Sequence, residues 1–110
     1  EATAMLDPSG REEVINIIDK LHRAGKTIIA ITHYVEEAVK ADKVILMDKG
    51  RVLSCGKPKD ILSNLKLMNE AGMMAPRAVR MYYDLLESGI HLNNCPLTDE
   101  ELAKEICQLR

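Results

Sequence analysis

Residues 27–32, Thr-Ile-Ile-Ala-Ile-Thr, form a short unbroken apolar run rich in β-branched side chains. The run does not alternate with polar residues, so both of its faces ask for burial. That is the pattern of a strand in a parallel sheet covered by helices on both sides. A second such run, Val44-Ile45-Leu46-Met47, follows it, and residues 34–41 between them place Val35, Ala38 and Val39 at helical spacing. Strand, helix and strand in this order predict a right-handed crossover, and so an α/β fold.

The residues before the first run predict a helix with both ends marked. Asp7 is an N-cap that can accept backbone N–H bonds, and Pro8 suits the first helical position, where its missing N–H had no partner. Val14, Ile17, Ile18 and Leu21 then fall on one stripe, and Gly25 stops the helix. After the second run, Asp48-Lys49-Gly50 is a turn with Gly placed for positive φ. Residues 51–54 return as a further strand, so 44–54 are expected to form an antiparallel hairpin at the sheet edge. Pro58 opens a short helix containing Ile61 and Leu62.

From Ser63 the pattern changes to helices alone. Residues 65–71 form one, stopped near Gly72. Residues 76–88 form the next, with Val79, Tyr82, Tyr83 and Leu86 on one stripe and Gly89 as its stop. Residues 90–97 read as a loop. Thr98 and Glu101 make a capping box for a last helix, whose apolar face is Leu102, Ile106 and Leu109. The chain therefore divides into an α/β part, 1–62, and a helical extension, 63–110.

Bulk properties narrow the function. The 110 residues carry a net charge of −2, which argues against a nucleic-acid surface. The apolar runs fall far short of the ~20 residues that cross a membrane, and no signal-peptide pattern is present. Cys55, Cys95 and Cys107 lack metal or disulfide spacing and read as free thiols of a reducing compartment. His22 near a helix end and His91 in a loop have no metal partners by spacing. Phe and Trp are missing, so Ile, Leu, Val and six Met must build the core.

Three stretches carry a resemblance. Residues 1–10, Glu-Ala-Thr-Ala-Met-Leu-Asp-Pro-Ser-Gly, resemble the part of an ATP-binding cassette (ABC) ATPase that runs from the catalytic glutamate through the D-loop. Thr32-His33, just past the carboxyl end of the first run and followed by Glu36-Glu37-Ala38, resembles the H-switch. Residues 44–62 fit the hairpin and short helix that follow. The whole is similar to the ATPases of energy-coupling factor importers, of cobalt or vitamin type, in which a helical C-terminal extension helps two ATPases pair.

The resemblance implies the fold of the C-terminal part of a P-loop NTPase-type nucleotide-binding domain: parallel strands plus an edge hairpin, then an all-helical extension. It implies catalytic roles for Glu1 and His33. Glu1 would orient or deprotonate the water that attacks the γ-phosphate. His33 would donate to a γ-phosphate oxygen. Ala4, Met5, Leu6 and Asp7 would be the D-loop, at a dimer interface. Many members have Pro and Ser where this chain has Ala2 and Ala4. The complete protein would use ATP and Mg²⁺. It would pair with a second ATPase subunit, identical or not, and with integral membrane transport subunits, on the inner face of the cell membrane.

The sequence has no GxxxxGK(S/T) phosphate loop, no Q-loop, no LSGGQ-type signature and no Walker B aspartate before Glu1. Without the loop, no backbone cradle or lysine holds phosphates. The chain thus reads as a fragment that begins inside a domain. By itself it is expected to bind no nucleotide and no metal, and to show no ATPase activity. Its half-sheet is expected to drive an oligomer or a swapped assembly. An alternative is a non-catalytic dimerisation or interaction module. A receiver-like α/β domain explains neither Glu1 nor the D-loop spacing.

Overall fold

The computed structural model describes residues 2–109. It divides into two compact units, one ending at His33 and one starting at Tyr34.

The first unit is built around helix α1, Pro8–Arg23. Asp7 is extended (φ −69°, ψ 170°) and its carboxylate accepts from the Gly10 N–H at 2.7 Å. The cap needs room at its third position: a Cβ on Gly10 would stand 3.0 Å from Asp7 Oδ1. Lys20, His22 and Arg23 face the negative end of the helix dipole, and Gly25 (φ +92°) ends it. Both predicted ends are therefore met.

The strand predicted over 27–32 is not formed. These residues have no regular secondary structure, and Ile29 and Ile31 are 89% and 76% exposed. A parallel strand is held by ladder partners and by helices on its faces. Among the described residues, β structure is limited to two strands elsewhere in the chain that pair only with each other. The expected parallel strand–helix–strand crossover is therefore absent among the described residues.

The second unit opens with α2, Val35–Ala38, a single turn where residues 34–41 were expected to be helical. Strand β1, Val44–Asp48, then pairs antiparallel with β2, Arg51–Gly56. Lys49 and Gly50 both take positive φ (50° and 76°), the twist that suits a two-residue hairpin loop. Leu46 faces Ser54 and Met47 faces Val52, which leaves Leu53 as a bulge. Val44 and Leu46 point into the core, while Ile45 and Met47 are more than half exposed.

Four helices complete the unit: α3 (Pro58–Leu62), α4 (Leu65–Glu70), α5 (Arg77–Glu87) and α6 (Asp99–Cys107). The Asn64 side chain caps α4, accepting from the Leu67 N–H at 3.1 Å. One core joins hairpin and helices: Val44, Leu46, Ile61, Leu62, Met68, Ala75 and Val79. Val35, Ala38, Val39 and Tyr83 pack against it. The Tyr83 hydroxyl donates to the Ser63 carbonyl at 2.9 Å, which ties α5 to the end of α3. The fold is thus α/β with a two-stranded antiparallel sheet and six helices among the described residues.

Candidate functional site

The stretch expected to carry chemistry begins the first unit. Glu1 lies outside the described residues. Residues 2–5 form a turn, in which the Leu6 N–H donates to the Thr3 carbonyl at 3.1 Å. The turn buries Thr3 and turns Met5 outward, 96% exposed, with Ala4 half-buried and Leu6 38% exposed. Asp7 then closes the turn by capping α1. Its backbone carbonyl accepts the first helical bond, from the Arg11 N–H at 2.9 Å. One residue thus ends the loop and starts the helix, so the loop's exit direction is set by the cap.

His33 sits at a bend beyond residues 27–32, exposed, with Thr32 before it half-buried. Both stretches belong to the same compact unit. An exposed imidazole has the donor that a phosphate oxygen would need. The N-terminus of α1, by contrast, is no phosphate cradle. Asp7 brings an anionic carboxylate to it, and Pro8 removes one of its N–H groups. Among the described residues, no group of three or more His, Cys, Asp or Glu could hold a metal ion. The described residues of this chain therefore do not by themselves assemble a Mg²⁺ site.

The second unit contains an open groove of about 680 Å³ between the end of α2, the start of α3, the 94–97 loop and α6. Its charges are mixed, with Lys57, Lys59 and Lys104 opposite Asp42, Glu101 and Glu105. Cys95 lies in it, and burial pushes its thiol pKa up; Lys59 opposes this shift and Glu101 adds to it. A thiol held protonated is a poor nucleophile.

Two carboxylates shape this region in ways the sequence pattern did not show. Glu105 accepts from the backbone N–H groups of Asn93 (3.1 Å) and Asn94 (3.3 Å) and from the Asn94 side-chain amide (3.3 Å). Glu101 was expected to close a capping box with Thr98. The Thr98 hydroxyl does accept from the Glu101 N–H at 3.2 Å, but the Glu101 carboxylate accepts from the Leu97 N–H at 2.8 Å. Local spacing signalled only the first of these. The contacts of Glu105 span eleven and twelve residues, a distance at which helical periodicity says nothing.

No protein-family model matches the chain. It is 48% identical over 111 residues to the energy-coupling factor transporter ATP-binding protein EcfA1 of Clostridium novyi, an alignment covering 100% of this chain and 40% of that protein. To EcfA1 of Clostridioides difficile it is 44% identical over 110 residues, 99% of this chain and 40% of the relative. To the energy-coupling factor transporter ATP-binding protein EcfA2 of Streptococcus sanguinis it is 40% identical over 107 residues, 96% of this chain and 38% of the relative. The chain spans about two fifths of the length of the curated relatives it matches.

Proposed function

We propose a function from the premise that the chain is, along its whole length, a homologue of the energy-coupling factor transporter ATP-binding proteins, matching the C-terminal half of an ABC ATPase. It is the part of an ATP-hydrolysing importer subunit that carries the catalytic glutamate, the D-loop, the H-switch and a helical extension. The observation that carries this reading is the whole-chain identity to those relatives. The D-loop stretch, which ends in an Asp that caps the following helix, supports it.

In the complete protein, Glu1 holds the attacking water in line with the γ-phosphorus and accepts its proton. His33 donates to a γ-phosphate oxygen as charge moves onto the leaving side. Ala4, Met5, Leu6 and Asp7 face a second ATPase subunit. The transporter imports cobalt or a vitamin through integral membrane partners, and this subunit sits peripherally at the inner face. Among the described residues, no helix is long and apolar enough to cross a membrane. Residues 63–110 form the extension that helps two subunits pair, a role that the partly exposed Met74, Met81, Ile106 and Leu109 suit.

This 110-residue chain by itself does not bind or hydrolyse ATP, because nothing in it cradles the β- and γ-phosphates. Titration calorimetry with Mg-ATP is expected to give no binding heat with the chain and saturable binding with the complete protein. Tight Mg-ATP binding by the chain overturns the reading of it as a fragment without a nucleotide site. The second reading, a non-catalytic pairing module, is favoured by the closed core of the second unit. It would be upheld if the complete protein bound no nucleotide.

A further inference from the structure

Helix α6 is docked by charge rather than by burial. It contributes no buried side chain, and among the described residues none of its side chains joins the core of the second unit. Carboxylates hold it instead. Asp99, at its first position, is hydrogen-bonded and ion-paired to Arg77, at the first position of α5. Glu101 takes the Leu97 N–H, and Glu105 takes the N–H groups of Asn93 and Asn94 together with the Asn94 amide. The two successive N–H groups converge on one oxygen, Glu105 Oε2, an arrangement that suits an anion.

The loop that these carboxylates grip has anchors of its own, because Leu92 and Pro96 are buried. Its hold on the core does not depend on α6. The helix also walls the groove, where Glu101, Lys104, Glu105 and Gln108 line it together with Lys57, Lys59 and Cys95. Charge-assisted bonds are stronger than neutral ones, but these are exposed to water, and exposed ionic contacts stabilise little. An element held only by such contacts opens before the core does.

We infer that α6 is a strap closing one side of this groove, latched by Glu105 on the paired N–H groups of Asn93 and Asn94, and that it lifts as one body while the core of the second unit stays folded. Glu105 is the latch, and the Arg77–Asp99 pair ties the other end of the strap. Lifting removes a wall of the groove and frees three latched N–H groups, at Asn93, Asn94 and Leu97. Cys95 stands between them in the chain and reports the opening: it is half-buried in the groove, whereas Cys55 on β2 is already exposed.

The test uses the complete protein, with amide hydrogen exchange and N-ethylmaleimide alkylation read residue by residue. In Glu105→Ala, exchange at Asn93, Asn94 and Leu97 and alkylation of Cys95 are all expected to rise about tenfold. Amides of β2 and alkylation of Cys55 are expected to keep their wild-type rates. Glu105→Gln keeps an acceptor without the charge and is expected to give a smaller rise. Arg77→Ala is expected to raise exchange at Asn93 and Asn94 about threefold, although Arg77 bonds neither. Glu100→Ala, on the same helix but outside the groove, is expected to change nothing. A rise confined to Asn93 and Asn94 in Glu105→Ala overturns the strap, since it reports a local bond only. So does a rise shared by β2 and Cys55, or an Arg77→Ala protein with unchanged exchange at Asn93 and Asn94. If Glu105→Ala fails to fold, Glu105→Gln and Arg77→Ala decide the question.

Discussion

The two units carry apolar patterns of equal clarity and treat them differently. In the second, the stripe of α5 and the inward face of β1 meet at Val79, Leu46 and Val44, all buried. In the first, α1 has the same kind of stripe and no buried residue; Ile17 and Leu21 remain 56% and 44% exposed. Residues 27–32 go further, with the most apolar run in the unit left as exposed coil. A pattern states what a segment would bury. Burial itself needs a partner surface, and the second unit supplies its own.

Two substitutions sharpen this contrast, and the larger effect is in the second unit. Leu62, 2% exposed at the centre of its core, is expected to cost about 3 kcal/mol when changed to Ala. Ile17→Ala on the half-exposed stripe is expected to cost less than about 1 kcal/mol in this chain. Urea unfolding followed by circular dichroism measures both, and equal losses would erase the distinction between the units. On the proposed reading, in which this chain is part of a longer domain, the cost of Ile17→Ala is expected to grow in the complete protein.

The smaller effect concerns a contact that needs no partner surface. Asp7→Ala removes the acceptor for the Gly10 N–H and is expected to cost about 1 kcal/mol, with Asp7→Asn costing less. The loss should be seen as faster amide exchange over the first turn of α1, at Gly10 and Arg11. An unchanged exchange rate would mean that the cap holds neither the helix start nor the loop before it.

What was legible follows from this. Features set by a few neighbouring residues came through: the Asp7 cap, the stop at Gly25, the Lys49-Gly50 turn, the starts at Pro58 and Thr98, and the stop at Gly89. Features set by distant partners did not. The 27–32 strand was expected from its own composition, yet a parallel strand exists only in a ladder. The bulge at Leu53, the hold of Glu105 on Asn93 and Asn94, and the Arg77–Asp99 pair leave no local trace. The candidate site remains an assignment from motif order and spacing; the described residues place the Asp7 cap and an exposed bend at His33, and Glu1 lies outside them.

The central claim is that the first unit carries catalytic positions of a transport ATPase whose phosphate cradle this chain lacks. The direct test is steady-state ATP hydrolysis by the complete protein, assembled with its partner subunits, in Glu1→Gln and His33→Ala forms. Each is expected to lose at least about 10²-fold in kcat while still binding Mg-ATP. Retention of full hydrolysis by both variants would contradict the account, and would leave the chain as a pairing module whose resemblance to a catalytic half has no chemical consequence.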